Sequence, residues 1–306
     1  MPAVSTVIVP ATTANLGPGF DCLGAALTLY NRFKFSQLPL GATPVNILVQ
    51  GEEADRVNTD SSNLAYQAFT KLYDHLGQTP PPVQIEIELG VPLARGLGSS
   101  ATAIVAGLVG ANLLAGSPLD QATIMQLAIS LEGHPDNVVP ALIGGCRLAA
   151  TNPNDPWTIC EIPWNPAIVP VIAISNFELS TQEARRVLPT SYSRADAIFT
   201  AAHLGLLLRG LEAGRGDWLQ AALHDRLHQP YRQSLIPGYE TVQAAALAAG
   251  AYGMVISGAG PTLLALTDSQ HAAAVATAMS SAWATHSIQA RVESLKIEMQ
   301  GVAIAE

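Results

Sequence analysis

Val83-Gln84-Ile85-Glu86-Ile87-Glu88-Leu89-Gly90 runs into Val91-Pro92-Leu93-Ala94-Arg95-Gly96-Leu97-Gly98-Ser99-Ser100-Ala101, and then into an almost uncharged stretch from Thr102 to Ala115. Apolar and polar residues alternate over the first segment, which predicts a strand with one solvated face. The second is glycine-rich, and its Ser99-Ser100 pair is placed to cap whatever follows. In the third, Ala103, Ile104, Val105, Ala106, Leu108, Val109, Leu113 and Leu114 leave hardly a polar face, so a buried helix is expected. Strand, glycine loop and helix N-terminus together make a receiver for phosphate. First-turn N–H groups point outward, the helix dipole adds about half a positive charge there, and glycines let the backbone approach the anion.

Several kinds of phosphate loop compete for these residues. A P-loop ends in Gly-Lys-Ser/Thr, and the lysines of this chain, Lys34, Lys71 and Lys296, all lie elsewhere. Gly96, Gly98 and Ala101 satisfy the dinucleotide fingerprint. That fold, however, needs a buried parallel strand before the loop and an acid ending a second strand, whereas the strand here alternates and Asp120 opens another helix. A glycine turn entering a core helix with no ligand is the plainest alternative. Pro92 to Ala101 also resembles the second motif of the GHMP small-molecule kinases, Pro-x-x-x-Gly-Leu-Gly-Ser-Ser-Ala, whose loop wraps the phosphates of ATP and Mg²⁺. The resemblance implies ATP contacts from Pro92, Leu93, Ala94, Arg95, Gly96, Leu97, Gly98, Ser99, Ser100, Ala101 and Thr102.

Composition reads as a compact, globular chain. The 306 residues are 49% hydrophobic and 13% charged, enough for two modest cores. A net charge of -9 argues against nucleic acid or an anionic membrane as partner, while leaving room for a phosphate held at a helix N-terminus with Mg²⁺. Cys22, Cys146 and Cys160 have no metal-ligand spacing and fit a reduced cytoplasm. No basic, then apolar leader opens the chain, so export is not expected. The apolar stretches 97–117 and 242–267 are interrupted by glycine, serine or proline and read as core rather than membrane spans.

Val4 to Val9 alternates as a strand into a loop from Pro10 to Gly24 that carries Asn15 and Asp21. On their own these two residues close turns as readily as they build a site. The segment is, however, similar to the N-terminal signature of those GHMP kinases whose acceptor is L-homoserine, in which the matching residues contact the acceptor and Asp21 would pair with its ammonium. Strands are expected at 31–36 and 46–50, then a helix from Leu64 to Gly77 behind the capping run Asp60-Ser61-Ser62-Asn63. The resemblance sets Asn63 near adenine and ribose. Asp120 to Leu131 reads as a helix stopped by Pro135, with 138–146 leading back to a strand near 147–150. His134 lacks a His or Cys partner at ligand spacing, which argues against a transition metal. Mg²⁺ needs only oxygen donors, and the resemblance assigns it Ser100 and Glu132. Asn137 matches an asparagine facing the acceptor, where other members carry a catalytic Asp.

Prolines and asparagines crowd residues 152–166, so a division is placed between 1–163 and 164–306. The resemblance implies an α+β, two-domain GHMP kinase fold, with a ribosomal-protein-S5-like N-terminal domain that binds ATP and a ferredoxin-like C-terminal domain. Ala167 to Ser175 is expected as a buried strand, and Leu179 to Pro189 as a short helix or loop. There the pattern Thr-x-x-Ala-Arg-x-x-Leu-Pro implies Thr181 near the transferred phosphate and Arg185 on the substrate. Helices follow at 195–212 and 218–227, and Arg232 on a proline-bounded turn is the family's second substrate arginine. A helix at 239–249, strands at 251–257 and 263–266, a helix at 271–284 and a strand at 287–297 close the chain. Gly258 and Gly260 resemble the third family motif, a glycine loop beside the active site.

The implied reaction is phosphorylation of the hydroxyl of L-homoserine by ATP with Mg²⁺. Two arginine forks would hold its carboxylate and Asp21 its ammonium. Phosphoryl transfer depends on in-line positioning and charge neutralisation, which the helix N-terminus, Mg²⁺ and Arg95 would supply. Asn137, Thr181 and Arg185 are the expected catalytic residues. No general base stands out, since Asn137 cannot accept a proton as an Asp would, so direct attack by the hydroxyl is expected, with Asp21 as base the fallback. The resemblance also implies a homodimer.

Overall fold

The computed structural model describes residues 4–152 and 155–305, so residues 153 and 154 of the proline-rich division lie outside it. A first mixed sheet is built from β1 (Val4–Ala14), β2 (Leu23–Gln37), β3 (Val45–Gln50), β4 (Val83–Glu88), β5 (Cys146–Ala150) and β6 (Thr158–Ile162). The alternation of β4 buries Val83, Ile85 and Ile87 and leaves Gln84, Glu86 and Glu88 outward. Its register sets Glu86 opposite Lys34 of β2, whose Nζ donates at 2.9 Å. Four helices cover the buried face: α1 (Leu64–His75), α2 (Ser99–Leu114), α3 (Gln121–Glu132) and α4 (Pro135–Ile143). As its composition predicts, α2 is buried almost all round. It packs closely because it carries glycines: a Cβ at Gly107 would meet Ala65 O of α1 at 2.2 Å, and one at Gly110 would meet the Phe35 ring at 2.4 Å.

Two expectations about this half need correction. Residues 10–14, expected in the first loop, extend β1, and a register shift between Pro10 and Ala11 absorbs the proline that cannot donate to a ladder. The loop is thereby reduced to the residues between Ala14 and Leu23. Residues 138–143, expected to lead back towards a strand, belong instead to α4. Pro135 takes its first turn, where a missing N–H is harmless, although Pro140 lies inside the helix. Gly24 of β2 presses against that helix, since a Cβ there would sit 1.7 Å from Asp136 O.

The second sheet has the order β10-β7-β9-β8 and is antiparallel throughout. In chain order the second half comprises β7 (Val169–Ser175), α5 (Thr181–Arg186), α6 (Arg194–Ala213), α7 (Gly216–Ala222), α8 (Gln229–Arg232), α9 (Tyr239–Ala248), β8 (Gly253–Ile256), β9 (Leu263–Thr267), α10 (Ala272–Ala284) and β10 (Ala290–Ser294). The helix expected at 218–227 stops at Ala222, and residues up to His228 form a connection. The chain then returns to the first sheet, where β11 (Ala303–Ala305) pairs with β1 and Ile297 bridges to Leu27. A shared apolar cluster joins the halves, with Leu16, Leu23 and Leu97 against Val255 and Leu264. It anchors the loop after β1 and the loop after β4 side by side. No described helix is long and apolar enough to cross a membrane.

Candidate active site

The loop after β4 enters α2 through Gly98, whose φ of 68° makes it the residue before the helix, with no capping side chain. This corrects the expected capping role of Ser99 and Ser100, which instead open the helix itself and leave its first N–H groups without a side-chain cap. Glycine is required on steric grounds at both turns. A Cβ at Gly98 would lie 2.0 Å from Thr12 Oγ1, and one at Gly96 would lie 2.2 Å from Ser257 O. The loop is tied to its neighbours by Thr12 N donating to Leu97 O at 3.0 Å and the Ser257 hydroxyl donating to Gly96 O at 2.7 Å.

Arg95 lines one cavity with Gly96, Gly98 and Ser100, and its guanidinium is at the same time bonded within the fold. It is 8% exposed, its Nε donates to Ser175 O at 3.0 Å and its Nη1 to Leu93 O at 2.7 Å, with Glu53 and Glu178 each at 3.4 Å. Its charge is answered locally, and it pins the loop to the end of β7. Pro92 lines a separate hollow, which Arg95 also borders. Beside the helix start lies a cavity of about 300 Å³, lined by Phe33, Asn63, Leu93, Ala94, Ser99 and Ser100 among others. Asn63 caps α1, accepting from Ala65 N and Tyr66 N, and its amide nitrogen donates to Asn58 O.

Ser100 and Glu132 do come together: the hydroxyl donates to Glu132 Oε2 at 2.7 Å. Burial raises the Glu132 carboxyl pKa, opposed by the Ser100 bond and the nearby His134. A hydroxyl and a carboxylate on one wall, beside a free helix N-terminus, are hard-oxygen donors that fit Mg²⁺ bound jointly with phosphates. His134 Nδ1 lies 2.5 Å from Asp136 Oδ1. Burial opposes its charged form, yet the Asp136 bond and the Asp136, Glu132 and Asp21 carboxylates hold its pKa above the ordinary value. Asp21, His134 and Asp136 present atoms within 4.8 Å of one another, but Asp21 is engaged by Arg185 and Asp136 by His134.

A small cavity of about 120 Å³ gathers Asn15, Asp21, Asn137, Thr181, Arg185 and Arg232 with Ser100, Glu132 and Gly258. Asn15 closes the loop as well as lining it, since its Nδ2 donates to Gly258 O at 2.8 Å and its Oδ1 accepts from Asp21 N at 2.9 Å. Arg185 meets Asp21 through both nitrogens, at 2.9 and 2.7 Å, and this bond raises the arginine's pKa. Arg186, the other member of the pair, does not line the cavity. Arg232 is 2% exposed and has no carboxylate within ion-pair distance among the described residues. Burial, and then the neighbouring Arg185, lower its pKa to about 10. Asn137 Oδ1 accepts from the Thr12 hydroxyl at 2.8 Å. Thr181 opens α5 behind the Ser180–Glu183 capping box.

Sequence reasoning assigned no role to Thr12, Phe20 and His228, and weighed His134 only as a transition-metal ligand; these residues and Asp136 all lie in or against this site. The Phe20 ring lies under both Arg185 and Arg232, at 5.7 and 5.1 Å, and an aromatic inside a glycine loop was the available signal. His228 stands four residues before Arg232, the spacing that stacks side chains along a helix.

With this geometry in hand, relatives fall into one group. The family descriptions "GHMP kinases N terminal domain" and "GHMP kinases C terminal" match residues 63–145 and 207–285. A homoserine kinase of Microchaete diplosiphon is 68% identical over 298 residues, covering 97% of this chain and 96% of its own. That of Trichormus variabilis is 69% identical over 296 residues, covering 97% of each. The crystal structure of homoserine kinase from Cytophaga hutchinsonii superposes with a TM-score of 0.90 at 29% identity, over 99% of this chain and 97% of that one. The chain belongs to the GHMP kinases and, among them, to the homoserine kinase family. The α+β fold in two domains is that of this family, and the protein is a small-molecule kinase that uses ATP.

Proposed function

We propose that this kinase moves the γ-phosphoryl group of ATP to the hydroxyl of L-homoserine, giving O-phospho-L-homoserine on the route to threonine. The observation that carries the reading is the set of charges around one cavity: Arg232 buried without a carboxylate, beside an Asp21–Arg185 pair that is about one-third exposed on each side. Homoserine brings one carboxylate and one ammonium. Its entry exchanges the internal pair for two, with the carboxylate on Arg185 and Arg232 and the ammonium on Asp21. Fixing both ends directs the hydroxyl towards the start of α2, where ATP phosphates sit on uncapped N–H groups and the nucleoside lies near Asn63.

Transfer then rests on alignment and charge neutralisation. Thr181 and the first turn of α2 line the same cavity and would both contact the travelling phosphoryl group. Mg²⁺ held by Ser100 and Glu132 together with ATP would neutralise further negative charge there. Asn137 is bonded to Thr12 and has no basic nitrogen, so it orients the acceptor and the hydroxyl attacks the γ-phosphorus directly, the bond to the ADP oxygen breaking and the hydroxyl proton passing to an oxygen of the transferred phosphoryl group. The test is ADP release by the purified protein with Mg-ATP and L-homoserine, L-serine, mevalonate or no acceptor. The reading expects release with L-homoserine alone; release with mevalonate in its place would overturn it.

A further inference from the structure

Arg232 belongs to a buried array of which the reading above uses one edge. A guanidinium carries five N–H groups. Nε donates to Ala184 O at 3.1 Å, and Nη1 donates to Gly258 O at 3.1 Å and to His228 Nδ1 at 3.3 Å. Three groups are thereby held by uncharged acceptors. The two on Nη2 bond to nothing among the described residues, and the arginine lines the acceptor cavity. His228 is wholly buried, and its other ring nitrogen, Nε2, lies 2.9 Å from Gly17 O. A carbonyl only accepts, so Nε2 carries the hydrogen and Nδ1 turns its lone pair to the arginine. The ring is clamped on its flanks. Phe20 stacks on it at 5.1 Å and 20°, and Asp225, whose carboxylate accepts from the backbone N–H of Leu227, His228 and Gln229, stands 3.6 Å from Nε2.

We propose that His228, as the neutral Nε2–H tautomer, is a positioning residue that holds Arg232 with its Nη2 edge towards the acceptor's carboxylate, and so helps set the preference for acceptors that carry one. The proposal rests on the reading of Arg232 as the carboxylate ligand. A lysine or a loosely held arginine would find other partners in this cavity, Asp21 and Asp136 among them; the three fixed acceptors remove that freedom. A proton on Nδ1 would confront the guanidinium and turn the acceptor into a donor. The charged groups facing the ring are Asp225 beside it, Arg232 one helical turn on and Asp21 on the opposite loop. Burial outweighs the two carboxylates and, with Arg232, keeps the imidazole pKa near 4.

The test pairs three variants with one measurement on the unaltered enzyme. His228→Phe keeps the ring volume and the stack on Phe20 but removes the acceptor. The expected result is a KM for L-homoserine raised about 10-fold or more, with the KM for ATP within about twofold of the parent. His228→Asn, whose amide oxygen reaches towards the same N–H, restores most of that loss. Arg232→Ala separates the two claims. If it leaves the homoserine KM unchanged, Arg232 is no carboxylate ligand and the proposal falls with that reading. If it raises the KM while His228→Phe does not, the positioning role alone is overturned, as it is by an equal rise in both KM values for His228→Phe. Should that variant fail to fold, ¹⁵N NMR of the parent enzyme decides: a neutral Nε2–H imidazole at about pH 6 is expected, and an imidazolium or an Nδ1–H tautomer contradicts the proposal.

Discussion

Asp21 and Arg185 show how far a residue type can be read before its partners are known. The family resemblance, and not residue type, marked both as acceptor ligands, and the structure brings them to one cavity, bonded to each other. In the proposed mechanism Arg185→Ala therefore has two effects of opposite sign: it removes a carboxylate contact and frees Asp21. A rise in the homoserine KM of about 10- to 100-fold, with the ATP KM little changed, is the expected net outcome in steady-state assays. Arg95 shows the converse. Its position in the phosphate motif suggested a charge for ATP, and the structure adds a holding role, with 8% exposure, two backbone bonds and two nearby glutamates around a side chain that also lines the cavity. Arg95→Ala should lower stability by about 2 kcal/mol or more in urea unfolding, because it leaves the Ser175 and Leu93 carbonyls without their side-chain donor. Nothing in sequence spacing distinguishes the two arginines; the distance to a glutamate 42 positions earlier does.

His228 adds a pH signature at the same scale. Its folded pKa, near 4, lies below the ordinary histidine value of 6.5, so between these limits the unfolded chain binds more protons than the folded one. Stability is therefore full above about pH 6.5 and falls as pH drops through that window towards 4. Urea midpoints measured across the window should fall less for His228→Asn than for the parent; parallel curves would place the acid sensitivity elsewhere.

The elements were legible where a period is strong and obscure where proline or glycine does two jobs. The alternation of Val83 to Glu88 and the apolar run after Ser100 gave β4 and α2, because a half-buried strand and a wholly buried helix leave unambiguous patterns. α4 did not show, since Pro135 reads equally as a stop for α3 and as the first residue of a new helix. Ser99 and Ser100 misled for a related reason: a glycine in the left-handed region can begin a helix with no side-chain cap at all. In the proposed mechanism that uncapped turn receives the ATP phosphates. Gly98→Ala should both strain it and push a methyl group into Thr12, costing about 2 kcal/mol or more of stability and raising the ATP KM. A fully stable variant with unchanged ATP binding would contradict this account of the loop.

At the scale of the whole molecule, the site exists because two sheets share a core around Leu16, Leu97 and Val255 and thereby bring the loops after β1 and β4 against the Gly258 loop. Each loop was recognisable alone; their meeting depends on contacts across more than 150 positions, which no local pattern encodes. The return of β11 to the first sheet was equally invisible, a three-residue pairing with no period of its own. Truncation after Ser294 removes that strand and the Ile297 bridge, and should lower the melting temperature by about 3 °C or more.

The central claim is that one acceptor is recognised by both of its charges at once. It is tested most directly by comparing kcat/KM for L-homoserine with that for 3-aminopropan-1-ol, which lacks the carboxylate, and 4-hydroxybutyrate, which lacks the ammonium. The account predicts that each analogue loses a factor of about 100 or more, because removing either charge leaves Arg232 or Asp21 unanswered in the cavity. Comparable kcat/KM for either analogue would contradict it.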